Sequence, residues 1–138
     1  MPDGVQVRPI LPSEIPLYAR VSAQGWGGGP ALEASICAGT QRDISAPGIE
    51  FWMAWLDGEA VGTGILRFPA GSGYLMGSSV RPEARGRGVY RALIGGRLQR
   101  LRDRGISHAT VVADESTSAP ICARLGFAPV CVLKIYST

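Results

Sequence analysis

The sequence predicts a mixed α/β (α+β) fold, in which helices flank one central β-sheet. A β-like run at Tyr74–Val80 leads through a glycine loop directly into a helical pattern, and an apolar strand pattern follows at Ala109–Ala113. A strand, a crossover helix and a second strand form a right-handed βαβ unit. In addition, Asp57-Gly58, a dipeptide typical of tight hairpins, separates two further strand-like segments. Together these observations predict a sheet that contains both a hairpin and a crossover connection.

Length and composition fit a single domain over residues 1–138. Hydrophobic residues make up 46% of the chain, which is enough for a core that buries about two-thirds of the unfolded surface. No secretory leader is visible at the N-terminus, and apolar runs such as Phe51–Leu56 are too short to cross a bilayer. The three cysteines are widely spaced and include no Cys-x-x-Cys pair. We therefore expect free thiols, a cytoplasmic location, no metal and no membrane partner.

The N-terminal segment predicts a strand followed by a helix. Val5–Arg8 alternates as a short strand, and Pro12–Glu14 opens a helix. This helix is expected to place Leu17 and Val21 on one face. It ends at the glycine-rich stretch Trp26–Pro30, because glycine and proline both disfavour a continuing helix.

A second helix and three strands are predicted before the glycine loop. The helix is expected over about Ala31–Ala38 and is followed by the turn Ala46-Pro47-Gly48. Another turn, Pro69–Gly73, separates the second strand from the third. The three strands are expected at about Glu50–Leu56, Ala60–Phe68 and Gly73–Val80.

The segments after the glycine loop predict two helices and two strands. Gly105 is expected to cap the first helix at its C-terminus. The near-continuous apolar run Ala109–Ala113 predicts a central strand, Ser116–Pro120 begins a short final helix, and Val130–Tyr136 is the last strand. The element order is then β-α-α-β-β-β-α-β-α-β. The apolar stripe of the first helix consists of Tyr90, Leu93, Ile94, Leu98 and Leu101.

The loop Arg85-Gly86-Arg87-Gly88 is the most informative segment for function. Its glycines permit a tight turn and close approach of a ligand. The helix that follows presents N–H groups without helical partners and the positive end of its dipole, which together bind phosphate or pyrophosphate. Arg85 and Arg87 add positive charge. The loop matches neither the P-loop nor the G-x-G-x-x-G fingerprint, and an ordinary glycine turn with solvated arginines is the alternative.

The positive charge of the chain is concentrated around this loop. Residues 81–104 hold eight arginines against Glu83 and Asp103, whereas the remainder holds six basic and nine acidic residues. A basic segment in an otherwise mildly acidic chain suits a polyanionic partner, either a phosphate-bearing coenzyme or a nucleic acid. The apolar stripe of the helix is needed for core packing and argues against nucleic acid.

Three motifs resemble the GNAT acetyltransferase superfamily. Arg85–Tyr90 resembles the acyl-CoA loop of that family, Gln/Arg-x-x-Gly-x-Gly/Ala, with Tyr90 in place of the small final residue. Trp55–Gly62 is similar to the family's W-x-x-D-G-x-x-V-G hairpin, with one residue rather than two between the tryptophan and the aspartate, and Arg124–Phe127 is similar to its Arg-Leu-Gly-Phe after the last helix. These motifs cover about residues 50–136 in the order of the family. They are specific for superfamily and fold, and they are silent on the substrate.

The resemblance implies an acetyl-CoA-dependent N-acetyltransferase with six to seven strands and about four helices. A splayed pair of strands, here Tyr74–Val80 and Ala109–Ala113, is expected to hold acyl-CoA. Gly77 is expected either to form a bulge that redirects its strand or to serve as a packing glycine. Ser118 replaces an asparagine of the family, although it also suits a helix cap. The expected coenzyme contacts are Ser78, Ser79, Val80, Arg85, Gly86, Arg87, Gly88, Val89, Tyr90 and Ser118.

The catalytic residues are where the sequence departs from the family. Many relatives carry a tyrosine in the last helix that protonates the leaving thiolate, and Cys122 stands in its position. Cys122 is therefore the candidate acid, with core packing as the alternative. Candidate bases are Glu50, Asp114 and Glu115, with a water chain as the alternative. His108, the only histidine, is expected to be structural, at the end of the sheet opposite the site.

The acceptor is the least defined partner. In the family the first two helices and their connecting loop shape the acceptor site, and here that loop presents Trp26 among glycines. Its ring is expected to stack on an amine-bearing group or else to pack in the core. The acceptor is expected to be a small-molecule or peptide primary amine. An acyl-CoA-binding module with little catalysis, acting as a sensor or partner subunit, is the alternative function, and a homodimer is left open.

Overall fold

The computed structural model describes residues 4–69 and 71–111 of the chain. These residues form one five-stranded sheet with α-helices on both faces. The strands are β1 (Val5–Pro9), β2 (Ile49–Leu56), β3 (Glu59–Arg67), β4 (Gly73–Val80) and β5 (Ala109–Val111). The α-helices are α1 (Ile15–Gly25), α2 (Pro30–Asp43) and α3 (Val89–Asp103).

The sheet is mixed, and its spatial order follows the chain from β1 to β5. The first four strands pair antiparallel, whereas β4 and β5 pair parallel across α3. The predicted fold class and the first eight predicted elements are therefore confirmed. Five strands are described rather than the predicted six to seven. The last predicted helix and Val130–Tyr136 lie outside the described residues.

Two apolar layers cover the two faces of the sheet. One lies between the sheet and α3, and the other between the sheet and α1 with α2. The successive residues of β2 alternate between these layers, with Trp52 and Ala54 toward α3 and Phe51 and Met53 toward α1. Both faces of β2 are covered, which explains why its sequence is apolar at consecutive positions. No helix in the described part of the chain has the length and apolar character needed to cross a membrane.

The predicted hairpin turn is confirmed in detail. Asp57 and Gly58 connect β2 to β3 with φ angles of +51° and +85°. Positive φ at both central residues is the signature of a type I′ turn, which matches the twist of the flanking strands. The dipeptide alone therefore predicted both the turn and the antiparallel pairing around it.

The start of α1 differs from the prediction. Pro12–Glu14 forms a separate 3-10 turn, and α1 begins at Ile15. The Glu14 carboxylate accepts a hydrogen bond of 2.8 Å from the Leu11 N–H, and hydrogen bonding to Arg8 lowers the pKa of Glu14 to about 2. Of the two residues expected on one face of this helix, Val21 is fully buried whereas Leu17 is 37% exposed. The buried stripe runs through Ile15, Tyr18, Ala19 and Ser22, at helical spacing from Ile15.

The second helix is longer than predicted. α2 continues to Asp43, five residues beyond the expected end at Ala38. The Thr40 hydroxyl donates to the Ile36 carbonyl at 2.7 Å, and the Thr40 side chain is buried. Packing against α1 carries the helix past Gly39 and Thr40, two residues with weak helix propensity.

Candidate acyl-CoA site

The glycine loop forms the N-terminus of α3. Gly86 and Gly88 have φ angles of +76° and +82°, a region that glycine adopts without steric cost. Gly88 is the N-cap residue and carries no side chain that could cap the helix. The Ala92 N–H donates to the Gly88 carbonyl at 3.0 Å, so the N–H groups that precede it have no acceptor within the helix. With no acidic residue in the first turn, this end keeps its positive potential for an anion.

The two arginines of the loop have different surroundings. Arg85 donates from Nη2 to the Gly25 carbonyl at 2.8 Å and from Nε to the Val80 carbonyl at 3.2 Å. It therefore ties the loop to the last residues of α1 and of β4. Arg87 is exposed and makes no hydrogen bond or ion pair with the described residues. Its guanidinium is thus oriented by no protein contact in this part of the chain and is available to an anion at the loop.

A bulge redirects β4 before it reaches the loop. Two residues of β4, Gly77 and Ser78, oppose the single β3 residue Gly64, because the register between the strands shifts there. Gly77 has a φ angle of +65°, which is typical of a bulge residue in the left-handed region. The predicted bulge is therefore confirmed. The packing alternative also holds, since a Cβ on Gly77 would lie 3.0 Å from Cδ1 of Ile65.

The two halves of β4 have different neighbours. Its first half, Gly73–Leu75, pairs with Ala109–Val111 of β5. Its second half, Met76–Val80, pairs with β3 alone among the described residues. The continuation of β5 toward Ala113 lies outside the described residues, so the splay of the two strands stays a prediction.

The C-terminal end of α1 packs directly against the end of β4. The Ser79 hydroxyl donates to the Ser22 carbonyl at 3.0 Å in a buried contact. Gly25 is also buried, and a Cβ there would lie only 1.7 Å from Oγ of Ser79. Trp26 follows immediately and is 58% exposed. Its ring therefore lies at the surface beside the strand end, and the expectation that it packs in the core is wrong.

The backbone groups of Ser78, Ser79 and Val80 were expected to pair with the coenzyme, and one of them, the Val80 carbonyl, is used within the protein, as are both serine hydroxyls. The Val80 carbonyl accepts from Arg85, the Ser79 hydroxyl is used on α1, and the Ser78 hydroxyl accepts from Nη2 of Arg97 at 2.6 Å. The side chains of the two serines thus fix the strand. Only their backbone groups remain candidates for contacts with a ligand.

Arg97 is the site-proximal residue that sequence reasoning missed. Its charge was counted with the basic segment that faces a polyanion, but its side chain is fully buried beneath β3 and β4. The helical spacing contained the signal. Position 97 lies three residues after Ile94 and four before Leu101, inside the apolar stripe.

Glu50, a candidate base, lies away from the loop. Its carboxylate accepts from Arg100 at 2.7 Å and 3.0 Å and from Nε1 of Trp52 at 3.2 Å. Arg100 stands twelve residues after Gly88, which corresponds to about 18 Å along the axis of α3. The structure therefore does not bring Glu50 to the glycine loop but gives it an ion pair that fastens α3 to β2.

Of the remaining candidates, His108 lies among the described residues and the others do not. His108 precedes β5, and its carbonyl accepts from the Gly73 N–H at 2.9 Å, at the opposite end of β4 from Val80 as expected. Asp114, Ser118 and Cys122 lie outside the described residues, as do Glu115 and the motif Arg124–Phe127. Within residues 4–69 and 71–111, no three His, Cys, Asp or Glu side chains cluster as a metal site.

The sequence is similar to acetyltransferases. Residues 24–127 match the Acetyltransferase (GNAT) family. Mycothiol acetyltransferase of Streptomyces avermitilis is 32% identical over 142 aligned residues, which cover 93% of this chain and 44% of that protein. The chain therefore spans less than half the length of this curated relative.

Solved acetyltransferase structures share the fold. AAC(6')-Iy in complex with the bisubstrate analog CoA-S-monomethyl-acetylneamine superposes with a TM-score of 0.78 at 20% identity and 97% coverage of both chains. A GCN5-related N-acetyltransferase from Ralstonia eutropha superposes with a TM-score of 0.72 at 21% identity, covering 97% of this chain and 99% of that one. At these identities the likeness establishes the fold.

Proposed function

The chain belongs to the Acetyltransferase (GNAT) family, and on this premise we propose that it is an acetyl-CoA-dependent N-acetyltransferase that acts directly on a primary amine. One observation carries the proposal. The left-handed glycines at the N-terminus of α3 and the bulged half of β4 meet in a single site, joined by Arg85. The first feature suits a pyrophosphate, and the second suits an extended chain that pairs with a strand.

The coenzyme is proposed to lie across these two features. Its pyrophosphate would accept hydrogen bonds from the first amides of α3, with Arg87 adding a charge that no described residue neutralises. Its pantetheine arm would run along Met76–Val80, which has β3 on one side only within the described residues. Similar proteins support this assignment, since AAC(6')-Iy was crystallised with a CoA analog.

The reaction requires few protein groups. The acceptor ammonium first loses a proton, and its nitrogen then attacks the carbonyl carbon of the acetyl thioester. A C–N bond forms, the C–S bond breaks, and CoA departs as a thiolate. The nitrogen loses a second proton and the thiolate gains one, so the products are an amide, free CoA thiol and one released proton. Backbone N–H groups hold the oxyanion, and positioning of both reactants supplies much of the rate.

The acceptor is proposed to bind beside Trp26. The ring is 58% exposed at the end of α1, and the preceding residue, Gly25, packs on Ser79 of β4. An exposed indole next to the reacting strand suits stacking on an amine-bearing ring or a cation. A small-molecule amine is consistent with the relatives, which are named for mycothiol and for an aminoglycoside.

Acetyl-CoA is expected to stabilise the fold. At about a hundredfold excess over the dissociation constant, linkage adds about 2.7 kcal/mol to the free energy of unfolding. For a domain of this size the melting temperature should rise by about 5–15 °C in a thermal-shift assay. Free CoA should give a similar rise and duplex DNA none. No shift with either form of the coenzyme would contradict the proposal.

Catalysis and simple binding separate in a second assay. Release of free thiol from acetyl-CoA should depend on an amine when a panel of small amines and peptides is screened. Stabilisation by acetyl-CoA without release of CoA thiol in the presence of any amine would instead favour an acyl-CoA-binding module.

Cys122 is the candidate proton donor to the leaving thiolate. Of this role and the alternative of core packing, we expect packing. Cys122→Ala and Cys122→Ser should keep kcat within a few-fold and lower the melting temperature by a few degrees, because a thiol that serves only in packing acts as a small apolar side chain. The measurement is a pH–rate profile of each variant. A fall of about 10²-fold in kcat, with loss of the alkaline limb and unchanged acetyl-CoA affinity, would identify the thiol as the proton donor.

A further inference from the structure

A buried guanidinium lies against the bulge of β4, on the face of the sheet that α3 covers. Arg97 is 0% exposed, and its Nη1 donates to the Ile65 carbonyl at 2.8 Å and to the Met76 carbonyl at 3.2 Å. Its Nη2 donates to Oγ of Ser78 at 2.6 Å, and its Nε donates to the Leu93 carbonyl of its own helix at 3.0 Å. One side chain of α3 therefore holds both strands and one residue of the bulge.

The guanidinium acts where the ladder between β3 and β4 is interrupted. Ile65 and Met76 are register partners immediately before the bulge, and a single nitrogen of Arg97 bonds to both of their carbonyls. A bulge leaves its extra residue outside the regular ladder, so the strands need another link at this point. Arg97 supplies that link, and its contacts with Met76 and Ser78 lie on the two sides of Gly77.

The opposing strand is shaped to admit the guanidinium. Gly64 of β3 faces the bulge, and a Cβ there would lie 2.8 Å from both Cζ and Nη1 of Arg97. Any side chain would therefore displace the charged group. Gly64, Gly77 and Arg97 therefore depend on one another. Gly64 leaves room for the guanidinium, and Gly77 adopts the backbone conformation that the guanidinium holds.

Burial of this charge is costly, which indicates that the arrangement does more than fill space. A buried cation costs several kcal/mol unless hydrogen bonds compensate for the lost water. Leucine or methionine would fill the same helical position without that cost. The charge also reaches the other face of the sheet. Burial raises the pKa of Tyr18 on α1, and the positive charge of Arg97 opposes that rise.

We propose that Arg97 is a positioning residue for acetyl transfer, which holds the bulge so that the backbone of Ser78–Val80 faces the thioester in one conformation. This inference rests on the proposed function. The bond to the Met76 carbonyl restrains the Met76–Gly77 peptide group, and the bond to Oγ of Ser78 anchors the residue that follows Gly77 through its side chain. The positively charged guanidinium that bonds to the Met76 carbonyl also polarises the Met76–Gly77 peptide, which strengthens the N–H of that peptide as a donor. Loss of Arg97 contacts should therefore affect kcat more than coenzyme binding.

The sharpest test is Gly64→Ala, which keeps the arginine at position 97 but displaces its guanidinium from the bulge. We expect kcat to fall about tenfold, as small displacements of reacting groups do. The KM for acetyl-CoA should change less than about threefold, because the phosphate contacts at α3 stay intact. The matched control is Gly95→Ala on the exposed face of α3, where a Cβ meets nothing within 4 Å. That variant should retain the wild-type kcat.

A second variant tests the same contacts independently, so that a folding defect in Gly64→Ala does not decide the outcome. Arg97→Lys keeps the charge but has one nitrogen, so it cannot bridge Ile65, Met76 and Ser78 together. Its kcat should also fall about tenfold, and adding Ser78→Ala should then have little further effect. Amide exchange measured by NMR in the coenzyme-free protein should speed up at Gly77 and Ser78 in both variants and not in Gly95→Ala.

The outcomes separate this inference from the proposed function. A wild-type protein that releases no thiol with any amine contradicts the proposed function, whereas the NMR experiment still reports on the bulge. An active wild-type protein whose kcat is unchanged in Gly64→Ala and Arg97→Lys, with only a lower melting temperature, overturns the positioning role. Unchanged amide exchange at Gly77 and Ser78 overturns it as well.

Discussion

Replacing Gly88 by Asp is expected to lower the affinity for acetyl-CoA at least tenfold while the protein stays folded. Gly88 is the N-cap of α3, so an aspartate there introduces a side chain and a negative charge where the pyrophosphate is proposed to bind. Like charges at about 4 Å repel by about 1–4 kcal/mol, depending on the effective dielectric constant, and a tenfold loss needs only about 1.4 kcal/mol. Calorimetric titration with acetyl-CoA measures the change, and circular dichroism checks the fold.

The controls distinguish charge from shape and from global effects. Gly88→Asn has nearly the same shape without the charge, and asparagine, like aspartate, tolerates the φ angle of +82° better than most residues. It should therefore bind more tightly than the Asp variant. Gly95→Asp adds the same charge to the exposed face of α3, about two turns away, and should bind almost as well as wild type. Unchanged affinity in Gly88→Asp would mean that the phosphates lie elsewhere.

The features that the sequence predicted correctly are those that a local rule determines. Asp57-Gly58 specified its own type I′ turn, and Gly105, with a φ angle of +74°, follows α3 as a C-terminal cap. Gly77 marked the bulge because an isolated glycine within a strand pattern is typical of one. In each case the backbone conformation follows from the residue and its immediate neighbours.

The features that the sequence did not predict depend on contacts between distant segments. Arg85 reaches Gly25 across 60 residues, and Ser79 reaches Ser22 across 57. Periodicity places such residues on a face of an element but does not identify their partner on another element. Arg97 illustrates this limit, because helical spacing places it within the apolar stripe but does not identify the bulge that its guanidinium contacts.

The hydrogen bonds that Arg85 and Ser79 donate to carbonyls of α1 join the C-terminal end of this helix to the end of β4. We therefore expect the end of α1 and the proposed acyl-CoA-binding half of β4 to form one unit. Gly25 stands at the centre of that contact, between the Ser79 hydroxyl and the backbone of Val80. Trp26, the proposed acceptor contact, is the next residue. The distance between α1 and β4 would then determine how the acceptor site is oriented relative to the thioester. A residue larger than glycine at position 25 should change both this distance and this orientation.

Gly25→Ala is accordingly expected to destabilise the protein by about 3 kcal/mol, at the upper end of typical overpacking costs. Its Cβ would lie 1.7 Å from Oγ of Ser79 and 2.9 Å from the backbone nitrogen of Val80. Rotation of the Ser79 side chain relieves the first clash but not the second, so α1 must move away and weaken its bonds to Ser79 and Arg85. Denaturant unfolding measures the loss, with a melting temperature lower by about 10 °C.

The matched control for this prediction is Gly39→Ala in α2. The nearest atom to a Cβ there is Nη2 of Arg42 at 3.7 Å, an ordinary van der Waals distance. Alanine in a helix interior is favoured over glycine by about 0.5–1 kcal/mol, so this variant should be as stable as wild type or more so. In the folded fraction of Gly25→Ala, the KM for the amine should rise because Trp26 moves with α1. Wild-type stability together with an unchanged KM for the amine would show that α1 and β4 do not act as a unit.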